Sequence, residues 1–159
     1  MTNMIDEETD QFVIFRLGTE EYGFDVSKVR EIHNVSDVAK VHRSAPHIEG
    51  VMNLRGKLLT VVNMRKRFAM PPADSNSETS RIVVVDALDA PVGFLVDEVV
   101  EVTKLPKGAV EKAPAYVTSG IDAQYVVGIA KIDERLITIV DPLKILELST
   151  EAERGTGGA

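Results

Sequence analysis

The side chains of this chain that could move protons or hold a metal are three histidines, His33, His42 and His47, and 25 carboxylates. The histidines fall on loops or strand edges, where histidine is usually a surface residue and not a ligand or base. A general acid and base pair needs burial or a close neighbour to move a pKa, and the carboxylates show only surface spacing. The chain contains no cysteine, which removes disulfides, thiolate metal sites and a cysteine nucleophile and agrees with a reducing compartment. Phosphate-cradling glycine loops, the Gly-x-Ser-x-Gly elbow and the His-Glu-x-x-His pattern are also missing from the sequence. The case for an enzyme or a metal site is therefore weak.

The chemistry that does suggest itself is an ion pair, and it comes from an internal repeat. Residues 47–68, HIEGVMNLRGKLLTVVNMRKRF, align without a gap on residues 125–146, YVVGIAKIDERLITIVDPLKIL. Gly50 falls on Gly128, Leu54 on Ile132, Leu58 on Leu136 and Thr60 on Thr138. Residues 11–32 align in the same way on 81–102, with Gly23 on Gly93, Phe24 on Phe94, Val26 on Val96, Val29 on Val99 and Glu31 on Glu101. The first pair of segments is offset by 78 and the second by 70, so the second copy carries 8 additional residues within 103–124. What differs is the hairpin tip, Arg55-Gly56 in the first copy and Asp133-Glu134 in the second. Glu31 is therefore expected to meet Arg55, whereas Glu101 would meet Asp133 and form no pair. An exposed pair adds little to stability, so its value lies in orienting the Arg55 guanidinium toward a partner.

The elements that must position these groups are short strands. A β-rich run from Gln11 to Leu17, a turn over 18–21 and a return from Tyr22 to Val26 form a hairpin. Ser27 can cap a helical turn, Val35 to Val41 is extended or turn-rich, and Pro46 starts a helical turn ending at Gly50. Val51–Leu54 and Lys57–Asn63 flank a two-residue tip in which Gly56 supplies positive φ. Apolar residues on both faces of this hairpin place it centrally, between other elements. Residues 71–80 read as a linker, and 141–146 as a short helix with Asp141 as cap and Pro142 at its first position. Met52, Met64 and Met70 read as core or core-edge filler. Two copies of about five short strands imply an all-β protein of two small antiparallel barrels. Each copy is too short for a strong core, so the barrels should pack on each other. The structured unit is expected over 11–148, with subdomains of roughly 11–70 and 80–148 and strand exchange left open. Residues 1–10 and 149–159 are expected to be flexible tails.

Charge is unevenly spread along the chain, whose net charge is −7. Residues 1–39 carry 3 basic and 9 acidic groups, 40–67 carry 7 and 1, and 68–159 carry 8 and 15. The basic segment reads either as a docking surface for an acidic partner or as an ordinary solvated face. Nucleic acid is a remote alternative: Arg55, Lys57, Arg65, Lys66 and Arg67 suit phosphates, but aromatics are only 5% and the chain is acidic. No apolar run reaches the roughly 18 residues of a membrane helix, and the acidic start is unlike a secretory signal. A cytoplasmic location without direct membrane insertion is expected. The apolar residues of 26–32 and their counterparts Val96, Val99 and Val102 suggest a groove between the halves that would seat a partner helix, or else simply join the halves.

Residues 20–32 (EEYGFDVSKVREI), 48–68 (IEGVMNLRGKLLTVVNMRKRF) and 92–102 (VGFLVDEVVEV) resemble the CheW family of chemotaxis coupling proteins. The likeness spans nearly all of 11–148, and Asn53-Leu54-Arg55-Gly56 with Val-Arg-Glu-Ile upstream is its most specific part. Two departures, His42 where proline is common and Val140-Asp141-Pro142 at the last helix, lie away from the groove. The resemblance implies two interlocked five-stranded SH3-like barrels and a non-catalytic adaptor, not an enzyme, with no cofactor and no metal. Its implied partners are the helical-hairpin tip of a chemoreceptor and the regulatory domain of a CheA-type histidine kinase, at receptor arrays on the inner face of the membrane. It also implies a receptor-binding groove of Val26, Val29, Glu31, Ile32, Arg55, Val99 and Val102, with Gly50, Gly56 and Gly93 holding nearby backbone. The alternative is a CheW-like scaffold of another sensory array, in surface motility or second-messenger control.

Overall fold

Alternation of apolar and polar residues, interrupted by tight turns, produces twelve strands among the described residues. The computed structural model describes residues 9–42, 45–72, 78–87, 90–112 and 123–146. The first copy supplies β1 (Thr9–Leu17), β2 (Glu20–Asp25), β3 (Val29–Asn34), β4 (Val38–Ala39), β5 (Ile48–Leu54) and β6 (Lys57–Asn63). The second supplies β7 (Arg81–Asp86), β8 (Pro91–Val96), β9 (Glu98–Pro106), β10 (Val110–Glu111), β11 (Val126–Ile132) and β12 (Arg135–Val140). The expected tails, apart from residues 9 and 10, lie outside the described residues, as does most of the extra segment of the second copy.

These strands form two curled sheets, ordered β10-β11-β12-β2-β1-β9 and β3-β7-β8-β6-β5-β4. Replacing each strand of the first copy by its counterpart in the second converts one order into the other. Each barrel thus has five long strands, as expected, plus a two-residue sixth, β4 or β10. The halves exchange their opening hairpins: β1–β2 joins β9–β12, and β7–β8 joins β3–β6. Each exchange is sealed by parallel pairing, Glu21–Gly23 against Ile137–Ile139 and Thr60–Asn63 against Val92–Leu95.

Burial follows this topology. One barrel encloses Phe12, Ile14, Leu105, Ala130, Ile137 and Ile139, and the other encloses Met52, Leu59, Val61, Ile82 and Val84. A third core between the barrels holds the aromatics Phe15, Tyr22, Phe24, Phe68, Phe94 and Tyr125, with Phe68 and Tyr125 stacked at 5.5 Å. Hydrophobic burial of this kind contributes about 25 cal/mol per Å², and here it is available only when both halves are present. The exchanged hairpins are also tied by polar contacts through Asp97. Its carboxylate accepts from the Gly18 amide at 2.7 Å and from Arg65 Nε and Nη2 at 2.9 and 2.5 Å.

Local expectations need several corrections. Asp25, not Ser27, caps the turn Val26–Lys28, accepting from the Ser27 amide at 2.9 Å. No helix follows Pro46; a single turn closed by Ile48 N to Ala45 O leads directly into β5. A four-residue helix, Met64–Arg67, continues β6 and is capped by Asn63, whose Oδ1 accepts from Lys66 N. It matches the helix over 142–146, where Asp141 Oδ1 accepts from Leu143 N at 2.9 Å. The β5–β6 hairpin is covered on both faces only at its Val61–Val62 end. Toward the tip Leu58 is 72% exposed, as is Leu136 at 63% in the second copy.

Candidate functional site

The β5–β6 tip is a two-residue loop with both residues in the left-handed region, Arg55 at φ 51 and Gly56 at φ 83. Glycine alone was expected there, but a twisted hairpin demands positive φ at both central positions. Asn53 Oδ1 accepts from the Gly56 amide at 2.9 Å and stiffens the loop. Asp133 repeats the conformation at φ 54.

From this tip Arg55 reaches β3. Its Nη2 donates to Glu31 Oε2, joining an edge strand to a hairpin with which it shares no backbone ladder. The other oxygen, Oε1, lies 2.7 Å from His33 Nε2. The hydrogen bond from Arg55 holds the Glu31 carboxyl below its ordinary value, with burial working the other way. Beneath the pair is a cleft of about 160 Å³ at the barrel end, with Leu54, Leu59, Val84 and Pro91 lining it and Arg30 and Lys57 on its rim.

The equivalent end of the second barrel is closed differently. Glu101 was expected to face Asp133 and remain unpaired; instead it accepts from Arg135 Nη1 at 2.9 Å. Arg135 also donates from Nε and Nη2 to the two oxygens of Glu21, at 3.0 and 2.6 Å. This fork pulls the Glu21 carboxyl below its ordinary value and the guanidinium above its own. Sequence reasoning missed Arg135 because it compared only the tips; the cation of the second copy sits two positions later, where the first copy has Lys57. It also passed over Leu58 and Leu136, whose exposure follows from their place beyond the covered part of each hairpin.

The residues expected to form one groove are distributed over several surroundings. Glu31 and Arg55 are in contact. Val29 and Val99 are half-buried against the same central core. Ile32 and Val102, equivalent in the repeat, are exposed on β3 and β9. Val26 lines a separate cleft with Asp25, Ser27 and Lys104. Among the glycines, Gly56 faces open space, whereas a Cβ on Gly50 would fall against the Ala39 carbonyl. A Cβ on Gly93 would stand 2.5 Å from Ile82 Cγ2 and 3.1 Å from Leu59 Cδ2, the latter in the cleft floor. Among the described residues no three His, Asp or Glu side chains converge as a metal site, and no helix is long and apolar enough to cross a membrane.

The family model for the CheW-like domain matches residues 11–150. The chain belongs to the CheW-like family. Chemotaxis protein CheW of Klebsiella aerogenes is 33% identical over 136 residues, covering 86% of this chain and 81% of that protein. Chemotaxis protein CheW of Bacillus subtilis is 31% identical over 138 residues, covering 87% of each. The crystal structure of the scaffolding protein TtCheW from Thermoanaerobacter tengcongensis superposes with a TM-score of 0.78 at 34% identity, covering 86% of both chains. The two interlocked SH3-like barrels are thus the family fold, and the chain is an adaptor of chemotaxis signal transduction.

Proposed function

We propose that the chain couples the cytoplasmic tips of chemoreceptors to the regulatory domain of a CheA-type histidine kinase, without chemistry of its own. It would do so in the cytoplasm, recruited to receptor arrays. The receptor-facing residues are Val26, Val29, Glu31, Ile32, Arg55, Val99 and Val102, with Gly50, Gly56 and Gly93 as backbone supports. The observation that carries this reading is the Arg55–Glu31 pair, built on a repeated frame at the position where the two copies differ in charge. The Arg55 side chain remains 65% exposed, so the pair contributes little to folding and presents a guanidinium to solvent at the barrel end. The non-catalytic reading is supported by membership in a family of scaffolds.

Receptor-controlled autophosphorylation of the kinase, reconstituted with this chain and receptor-bearing membranes, tests the reading. Arg55→Glu places two carboxylates together and should abolish most coupling while leaving the melting temperature within a few degrees. Asp133→Asn, at the equivalent tip, should couple normally. Normal coupling by a folded Arg55→Glu variant would remove Arg55 from the partner surface.

A further inference from the structure

Arg55 and Arg135 both reach a glutamate across a barrel end, yet they commit different numbers of donors. All three nitrogens of Arg135 donate, two to Glu21 and one to Glu101. Arg55 donates through Nη2 alone; its Nε and Nη1 have no acceptor among the described residues. A carboxylate can receive arginine as a two-bond fork, the arrangement Glu21 adopts, or through one oxygen, as Glu98 and Asp86 do. At Glu31 a fork would have to share Oε1 with His33, whose Nε2 stands 2.7 Å from it. Glu31 and His33 stand two apart on β3, so they share a face, and both side chains are partly sheltered, at 22% and 33% exposure. At the repeat-equivalent position the second barrel has Thr103, and Glu101 receives only Arg135.

We propose that His33 is a positioning residue: by occupying Glu31 Oε1 it keeps Arg55 half-engaged, leaving one edge of the guanidinium for a carboxylate or carbonyl oxygen of a docked receptor segment. This rests on the reading of Arg55 as receptor-facing. The backbone at the tip fixes where the arginine starts, Glu31 fixes one of its nitrogens, and His33 prevents the internal pair from closing into a fork. Losing His33 therefore tightens the internal pair and weakens the external one.

The test uses the full chain in four forms: wild type, His33→Ala, His33→Gln, whose amide can donate to Oε1, and Arg55→Ala. Nitrogen NMR of the arginine side chains, without any partner, reads the pair directly. In His33→Ala the Arg55 Nη signals should move toward the hindered rotation of a two-bond fork, as shown by Arg135; in His33→Gln they should stay as in wild type. Affinity for a purified receptor cytoplasmic fragment should fall ~5-fold in His33→Ala, about one hydrogen bond, and return in His33→Gln, with the melting temperature unchanged throughout. Unmoved Arg55 signals in His33→Ala, or moved signals that His33→Gln does not restore, would overturn the role of His33. Undiminished binding by Arg55→Ala would instead overturn the receptor-facing reading, while the NMR result still decides what His33 does to Arg55.

Discussion

The two barrel ends share a backbone and differ in how their side chains close it. Both tips begin with a residue at φ near 50°, Arg55 and Asp133, and both expose a leucine just beyond, Leu58 and Leu136. The second end is bridged by Arg135 between Glu21 and Glu101, and the first holds a cleft beneath a single exposed pair. The exchanged hairpins produce the difference. Glu21 belongs to β2, which the first copy contributes to the second barrel, and its counterpart Pro91 belongs to β8, which the second copy contributes to the first. A carboxylate is thereby delivered to one end and an apolar ring to the other. Interlocking does more than pool two weak cores; it lets equivalent ends diverge, one toward closure and one toward recognition.

The largest effects are expected where the barrels are alike. Gly50→Ala and Gly128→Ala should each cost ~2–4 kcal/mol in urea denaturation, since the added Cβ meets the carbonyl of Ala39 in one barrel and of Glu111 in the other. Gly50 also has φ 153, which an alanine adopts under strain. A cost below ~1 kcal/mol at one site alone would show that the two β-bridges are not equivalent.

A smaller effect should separate the ends. Arg135→Ala removes three hydrogen bonds and leaves Glu21 and Glu101 facing each other, at a cost of ~1–2 kcal/mol, moderated by solvent that reaches the site. Arg55→Ala should leave the denaturation midpoint unchanged. Equal losses for the two arginines would end the division between a structural and a recognition pair.

The smallest effect is an acid dependence. Burial raises the Asp97 carboxyl, but the Arg65 hydrogen bonds, the Gly18 amide and the Arg65 charge outweigh it and leave it lowered; Glu21 is lowered by Arg135. A carboxyl held below its unfolded value of about 4 contributes stability that is fully present above that pH and lost as pH falls through the folded value. The melting temperature should therefore be flat above about pH 5 and drop below pH 4. Asp97→Asn should lower the plateau and make that drop shallower, and an unchanged acid limb would show that Asp97 does not couple folding to protons.

Much of this protein is legible in its sequence, because local periodicity reports which face of a strand is buried. The gapless alignment of 47–68 on 125–146 predicted β5 and β6 against β11 and β12, and the sign change at the tip predicted the contact of Arg55 with Glu31. The helix at 64–67 was also within reach, since the same offset places Asn63 on the capping Asp141. Other features belonged to the tertiary structure alone. Both copies carry the same pattern, so nothing in it states which copy supplies a strand's neighbour; the parallel pairings of β2 with β12 and β6 with β8 decide that. From this exchange follow the bond of Arg135 to Glu21, 114 residues away, and the open cleft above Pro91. The sharing of Glu31 between Arg55 and His33 was likewise invisible, because two residues of one strand and a third from a distant tip meet only when the sheet curls.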